Sequence, residues 1–245
     1  MTAVTPSHRV FDNAETLARE VAAWLCARAE ASGGPFAVCL SGGSTPRRLY
    51  ECLAEPALAA RFPWDRSHWF WGDERFVPHD HPDSNYRMAR EALLSRVPIP
   101  ENQIHPVPTS GVSPDEAATA YEATLRAFYG AASLDPGRPL FGVTLLGIGD
   151  DGHTASLFPG QPALRETRRW AVPVIGAKSE ARITLTYPAL DSSRDVAFLA
   201  TGEGKREPVA RAQAGDNALP AAKIHPVGHL HWFTDRAAAR SAARQ

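Results

Sequence analysis

Cysteine is scarce in this chain of 245 residues: it has only Cys26, Cys39 and Cys52, and no CxxC pair occurs. An odd, sparse set of this kind excludes a disulfide framework and is typical of the reducing cytoplasm. The first ten residues also lack the apolar core of a secretory signal. We therefore expect a cytoplasmic protein with free thiols.

The chain also lacks long apolar runs and an excess of one charge. No run approaches the length that spans a bilayer. The formal net charge of -1 provides no bulk field that would attract nucleic acid or a membrane surface. We therefore expect neither as a partner, and an anionic substrate has to be bound by local basic residues. Internal repeats and long low-complexity segments are absent too. For the oligomeric state, we expect a monomer.

What is present is an alternation of short apolar runs and amphipathic segments. Hydrophobic residues make up 44% and charged residues 22%, which are ordinary values for a globular protein. We expect one domain over 1–245. Apolar spacing predicts a helix over 13–31, capped by Asp12 or Asn13, and further helices over 87–95, 114–129 and 235–245. Strands are predicted over 36–40, 69–71, 141–146, 182–186, 196–201 and 231–234.

The alternation predicts the fold class. Strands that alternate with helices indicate an α/β fold of three layers, Rossmann-like, with a mostly parallel central sheet and helices on both faces. In such sheets, ligands bind just beyond the carboxyl ends of the strands. The polar clusters that follow the predicted strands are therefore the candidates for a site.

The first cluster is the turn 41–46, Ser-Gly-Gly-Ser-Thr-Pro. Gly42 and Gly43 allow close approach of the backbone to a ligand, Ser44 and Thr45 add hydroxyls, and a helix beginning here offers free N–H groups to a phosphate. A simple tight turn with a hydroxyl cap is the alternative. The sequence is neither a Walker loop nor a nucleophile elbow, because it lacks the Gly-Lys-Ser/Thr ending and the second glycine.

The second cluster is Gly72-Asp73-Glu74-Arg75, which follows the strand over 69–71. Asp73 or Glu74 could perform acid–base chemistry, and Arg75 could hold an oxyanion or a sugar hydroxyl. The alternative is a surface turn with an internal ion pair, which is common and contributes little.

The most informative cluster is the run 147–159, Gly-Ile-Gly-Asp-Asp-Gly-His-Thr-Ala-Ser-Leu-Phe-Pro, after the strand over 141–146. His153 with a carboxylate nearby is typical of a general base and its orienting group. The spacing leaves open whether Asp150 or Asp151 contacts the histidine. Alternatively, His153 caps a following helix while both aspartates are solvated.

Two basic residues complete the set, Arg182 at the start of a strand and Lys205 after another. Together with the turn at Ser44 and Thr45 they would form a pocket for a dianion. A metal site is disfavoured, because Asp-x-His offers two ligands at most and no HExxH motif occurs. The histidine-rich loop 78–83 is typical of a solvated segment, and Ser84 and Asn85 after it indicate a helix cap or a substrate contact.

Taken together, these segments resemble the 6-phosphogluconolactonase family, within the glucosamine/galactosamine-6-phosphate isomerase superfamily. The matching segments occur in order along most of the chain: 40–47, 71–77, 84–85, 146–161, 181–187 and 202–206. The run GIGDDGHTASLFPG is the most specific of them. The related glucosamine-6-phosphate deaminases typically follow the histidine with Ile-Ala-Phe-Asn-Glu-Pro and tend to have an aromatic residue at the position of Arg75. Both departures favour the lactonase.

The resemblance implies hydrolysis of 6-phospho-D-glucono-1,5-lactone to 6-phospho-D-gluconate, the second step of the oxidative pentose phosphate pathway. It implies His153 as the base that activates water, Asp151 as its orienting residue and Arg75 as the oxyanion partner. Substrate contacts fall on these residues: Gly42, Gly43, Ser44, Thr45, Asp73, Asn85, Arg182 and Lys205. No cofactor and no metal are implied. The alternatives are a glucosamine-6-phosphate deaminase-like enzyme and a non-catalytic sugar-phosphate sensor.

Overall fold

A computed structural model of the protein describes residues 6–239. Its centre is a six-stranded parallel sheet in the order β1-β9-β8-β5-β2-β3. The strands of this sheet are β1 (Ser7–Phe11), β2 (Phe36–Leu40), β3 (Ser67–Trp71), β5 (Phe141–Leu146), β8 (Ser193–Ala200) and β9 (His229–Asp235). The predicted α/β class with a mostly parallel central sheet is confirmed.

A second, antiparallel sheet of three strands has the order β4-β7-β6. Its strands are β4 (Asp73–Arg75), β6 (Ala171–Val174) and β7 (Arg182–Leu185). Gly72 joins the two sheets: its N–H donates to the Leu40 carbonyl (2.9 Å), and its own carbonyl accepts from the Leu185 N–H (2.8 Å). The chain therefore passes from β3 directly into β4 at the carboxyl edge of the large sheet.

In the described part of the chain, seven α-helices surround the sheets: α1 (Ala14–Ala31), α2 (Ser44–Leu53), α3 (Pro56–Ala59), α4 (Asn85–Ala89), α5 (Pro114–Tyr129), α6 (Tyr187–Asp191) and α7 (Arg206–Gln213). The Asn13 side chain accepts from the Thr16 N–H (2.9 Å), which confirms the predicted cap of α1. α1 packs on β1, β5 and β9, whereas α5 packs on β6 and β7. Within residues 6–239, no helix is long and apolar enough to cross a membrane.

Two buried tyrosines fix the carboxyl ends of β2 and β3. The Tyr50 hydroxyl accepts from the Ser41 N–H and donates to the Ser41 carbonyl, at 2.9 and 2.8 Å. Tyr121 does the same for Trp71, at 2.7 and 2.9 Å. Because buried backbone groups at strand ends need partners, these hydroxyls hold the strand ends in place. The polar turns after β2 and β3 therefore start from fixed points.

Several sequence predictions are corrected by the structure. Asp235 is the last residue of β9 and 236–239 form a turn; the rest of the predicted terminal helix, 240–245, lies outside the described residues. The helix predicted over 87–95 begins at Asn85 and ends in a π-helical turn, Arg90–Leu94. The strands β1, β4 and β6 were not predicted, because they are short and rich in polar residues or proline.

The strand over 182–186 was placed in the parallel sheet, and this is wrong: β7 belongs to the antiparallel sheet. Arg182 is the first residue of this strand, as predicted. It still reaches the carboxyl edge, because the start of β7 lies opposite the end of β4 in an antiparallel pair.

Candidate active site

A polar cleft of about 470 Å³ opens at the carboxyl edge of the large sheet, where the small sheet adjoins it. Every predicted site residue except Asp151 lines this cleft: Gly42, Gly43, Ser44, Thr45, Asp73, Arg75, Asn85, His153, Arg182 and Lys205. Asp151 lies beside the cleft, in contact with His153. The structure thus brings the separate clusters of the sequence together at one place.

The turn after β2 presents the amino-terminal end of α2 to the cleft. Gly43 caps the helix with a φ of 107°, a left-handed value that favours glycine, and no side chain caps the helix. The first N–H groups of the helix therefore remain available to an anion. Gly42 is required for another reason: a Cβ at this position would overlap the Asn85 side chain. The Thr45 and Thr201 hydroxyls lie 2.7 Å apart and join this turn to the segment after β8.

His153 and Asp151 form a hydrogen-bonded pair. Asp151 Oδ1 accepts from the His153 backbone N–H (3.0 Å) and lies 2.5 Å from Nδ1 of the ring. Burial opposes ionisation of Asp151, but the two hydrogen bonds and the neighbouring charges outweigh it and lower the pKa of this carboxyl. An ionised Asp151 accepts a hydrogen bond from the Nδ1–H of His153, and in a neutral ring this leaves the lone pair of Nε2 free.

The loop geometry makes this pair possible. A Cβ at Gly149 would overlap the His153 ring and come within 2.8 Å of the Asp151 carboxylate. The Gly149 N–H donates to the His153 carbonyl (2.8 Å), so the loop closes on itself around the glycine. Phe158 also contacts the histidine, with ring centroids 4.5 Å apart. The ring of His153 is therefore held by residues of its own loop.

Asp150 has a different partner from Asp151, which answers the question that spacing left open. Its Oδ1 accepts from Lys205 Nζ at 2.6 Å. The Lys205 hydrogen bond and charge lower the pKa of Asp150. Asp151 is the carboxylate on the histidine, and Asp150 is the carboxylate on the lysine.

Arg75 and Arg182 lie opposite each other on the adjacent strands β4 and β7 of the small sheet. They are directly opposite in the β4–β7 register, an arrangement that destabilises a sheet because the charges repel. The buried Nε of each arginine has no hydrogen-bond partner within the described residues. Burial, and then the charge of Arg75, lower the pKa of Arg182. Two facing, incompletely satisfied guanidinium groups in a cleft are suited to bind an anion.

Glu74 does not reach the cleft, so its suggested acid–base role is wrong. It is buried and accepts hydrogen bonds from the backbone N–H groups of Arg75, Asn85 and Tyr86 at 2.7–2.8 Å. The Ser84 hydroxyl donates to it as well (3.1 Å). Burial raises the pKa of Glu74, although the three N–H groups oppose this. Glu74 thus fixes Arg75 and Asn85 relative to each other.

Asp73, unlike Glu74, lines the cleft. Its Oδ2 accepts from the Ser156 hydroxyl at 2.6 Å, and its backbone carbonyl accepts from Asn85 Nδ2 at 2.9 Å. Both residues line the cleft. Their remaining oxygen and amide groups are available to a polyhydroxyl ligand.

Sequence reasoning missed several residues of the cleft, among them Ser156, Phe158, Lys178 and Thr201. Ser156 and Phe158 belong to the glycine-rich run already singled out, so a closer reading of that run could have found them. Ala155, directly before Ser156 in this loop, has a φ of 47°, the only left-handed value of a non-glycine residue in 6–239. Lys178 lies in a surface connection without a motif that would mark it.

Comparisons with known proteins identify the family. The family model described as glucosamine-6-phosphate isomerases/6-phosphogluconolactonase matches residues 12–232. A 6-phosphogluconolactonase of Nostoc is 46% identical over 209 residues, which are 84% of each chain. One from Synechocystis is 44% identical over 215 residues, 86% of each chain. The structure of a 6-phosphogluconolactonase from Trypanosoma cruzi has a TM-score of 0.85 and 31% identity, and the match covers 99% of this chain and 98% of that one. The chain therefore belongs to the family of glucosamine-6-phosphate isomerases and 6-phosphogluconolactonases.

Proposed function

We propose that this protein hydrolyses 6-phospho-D-glucono-1,5-lactone to 6-phospho-D-gluconate, the second step of the oxidative pentose phosphate pathway. The observation that carries the proposal is the His153–Asp151 pair in one cleft with the facing Arg75 and Arg182. A base and an anion-binding group are what a phosphorylated lactone requires. The names of the curated relatives support the same activity.

His153 acts as the general base in this proposal. Its Nε2 takes a proton from water as the water oxygen attacks C1 of the lactone, and the resulting imidazolium returns that proton to the ring oxygen when the C1–O bond breaks. Asp151 orients the ring and stabilises the imidazolium. A lactone is an activated ester, so no covalent nucleophile is needed. At neutral pH the new carboxyl group ionises, and each turnover releases one proton.

The positive and polar groups of the cleft bind different parts of the substrate. Arg75 stabilises the oxyanion of the tetrahedral intermediate. Asp73 and Asn85 bind sugar hydroxyls. The phosphate is bound by the turn at Gly42, Gly43, Ser44 and Thr45 together with Arg182 and Lys205. Binding of this remote, non-reacting group positions C1 against His153.

We also propose that the protein works as a cytoplasmic monomer of one domain, without nucleic acid. Both sheets of this chain contribute residues to one cleft, which supports a single domain. The net charge of -1 supports the absence of a polyanionic partner. Light scattering coupled to size exclusion measures the oligomeric state; a stable dimer would contradict this part.

The test of the activity is proton release from freshly generated lactone in weakly buffered solution, corrected for spontaneous hydrolysis. We expect rapid turnover of the 6-phosphorylated lactone and slow turnover of the unphosphorylated one. Equal rates for the two would contradict the phosphate site. Release of ammonia from glucosamine-6-phosphate would establish the deaminase alternative, and tight binding of 6-phosphogluconate without turnover would establish the sensor.

A further inference from the structure

Lysine is rare in this protein. Only three of its 26 basic residues are lysines: Lys178, Lys205 and Lys223. Two of the three, Lys178 and Lys205, line the cleft. Lys178 lies in the connection 175–181 between β6 and β7, a few residues before Arg182. It carries no role in the mechanism above.

The two lysines of the cleft have different surroundings. The ammonium group of Lys205 is bound to Asp150 at 2.6 Å, whereas Nζ of the exposed Lys178 lies 5.3 Å from the centroid of the Phe158 ring. The other neighbour of that ring is His153, with centroids 4.5 Å apart. Lys178 is also one of the charges that lower the pKa of Asp151. Its charge therefore acts at the His153 side of the cleft.

The proposed reaction creates a negative charge on this side. The lactone carbonyl at C1 is neutral, the tetrahedral intermediate carries an oxyanion, and the product carries a carboxylate. Arg75 is anchored, since its Nη1 donates to the Asp83 carbonyl at 2.6 Å. An ammonium group on a flexible four-carbon side chain can follow the oxygen atoms of C1 as the ring opens. The Phe158 face holds this cation in the meantime.

We infer that Lys178 binds the C1 carboxylate of the product and the oxyanion that precedes it, whereas Lys205 belongs to the phosphate. This inference rests on the proposed function and assigns one cation of the cleft to the end of the substrate that reacts. It also predicts a preference for sugar acids: a six-carbon phosphate with a carboxylate at C1 binds more tightly than the same chain with an alcohol there.

The experiment uses two probes that differ only at C1, 6-phosphogluconate and glucitol 6-phosphate. Calorimetry measures the dissociation constants of both for the wild type and for the variants Lys178→Met, Lys178→Arg, Lys205→Met and Lys223→Met. The readout is the ratio of the two constants within each variant, which does not depend on the fraction of folded protein. Lys223 lies outside the cleft and is the control for removal of a lysine charge.

We expect the wild type to prefer 6-phosphogluconate by about tenfold, the size of one charge-assisted hydrogen bond. Lys178→Met should abolish this preference and leave glucitol 6-phosphate binding within about twofold, whereas Lys178→Arg should retain most of the preference. Lys205→Met should weaken both ligands and keep their ratio, and Lys223→Met should change nothing.

An unchanged ratio in Lys178→Met, or equal weakening of both ligands, would overturn the inference, as would a wild type without preference. If the wild type binds neither sugar phosphate and releases no protons from the lactone, the proposed function itself fails. These outcomes are distinct, because the first three require phosphosugar binding and the last excludes it.

Discussion

Charged groups have different surroundings at the two ends of the large sheet's strands, the carboxyl edge, where the strands end, and the amino edge, where they begin. At the carboxyl edge, Arg75 and Arg182 face each other and retain buried nitrogen atoms without a partner among residues 6–239. At the amino edge, the buried carboxylate of Asp195 accepts from His231 Nε2 at 2.8 Å and lies 3.3 Å from Arg28 Nη2. The other nitrogen of His231 lies 2.7 Å from the Ser7 hydroxyl.

The difference separates structural charges from functional ones. At the amino edge, a buried charge that would be costly without a partner is paired with other residues of the chain. At the carboxyl edge, the repulsion between Arg75 and Arg182 is offset only in part, by carboxylates such as Glu180, whose Oε2 lies 3.7 Å from Arg182 Nη2. Removal of a charge should therefore lower activity at the carboxyl edge but not at the amino edge, and four substitutions test this contrast.

The largest effect is expected for His153→Ala at the carboxyl edge. Loss of a general base should lower kcat by roughly a hundred- to ten-thousand-fold, with little change in the dissociation constant of 6-phosphogluconate. Proton release and calorimetry measure the two quantities. His229→Ala removes an exposed histidine at the amino edge and should leave kcat unchanged. Near wild-type turnover of His153→Ala would remove the histidine from the mechanism.

Arg182→Met should raise KM by about tenfold or more, because a charge-assisted contact to the phosphate is lost. The same change should raise the melting temperature, since the repulsion with Arg75 disappears. Steady-state kinetics and calorimetric melting report the two effects on one sample. Arg194→Met, an exposed arginine of β8, is the matched control. A lower melting temperature for Arg182→Met would contradict the claim that the arginine pair is strained without ligand.

At the amino edge, Asp191 should make stability depend on pH. Burial raises the pKa of its carboxyl to about 7, from 3.8 for an exposed aspartate. Between these values the folded state holds a proton that the unfolded state has released, so the free energy of unfolding falls as pH rises from about 4 to 7. The slope from this group is at most about 1.4 kcal/mol per pH unit.

Asp191→Asn should flatten this part of the stability curve, because asparagine does not titrate and still accepts from the His225 N–H. Urea unfolding at a series of pH values measures the effect, with Asp65→Asn at the surface as the control. An identical curve for the wild type and Asp191→Asn would contradict the assignment.

The smallest effect on activity is expected for Asp195→Ala. Loss of the partner of His231 and Arg28 should lower the free energy of unfolding by about 2 kcal/mol. Because the amino edge lies outside the cleft, kcat/KM of the folded fraction should stay unchanged. Urea unfolding and kinetics measure the two quantities. A fall in kcat/KM with unchanged stability would invert the contrast between the edges.

The convergence of the cleft was predictable because the carboxyl ends of β2, β3, β5 and β8 meet at one edge, and each carries a polar turn. Contacts between segments that are distant in the sequence were not predictable. Glu74 next to Asp73 is read from sequence as a solvated turn, since nothing local shows that four donors from Arg75 and 84–86 surround it. Lys178 is brought close to Phe158 by the pairing of β6 and β7, and the sequences of two such short strands do not predict this pairing.

The hydrogen bonds of Glu74 have a consequence for the loop between Phe76 and Asp83. The residues on both sides of this loop are held by one carboxylate, which fixes the distance that the loop has to span. Lengthening a loop whose ends are already fixed costs little, because the entropy of closure grows only with the logarithm of length. This segment, at the margin of the cleft, can therefore accept inserted residues while Arg75 and Asn85 keep their positions. It is the place in the fold where new contacts to a larger substrate or a neighbouring enzyme can be added at the least cost to the site.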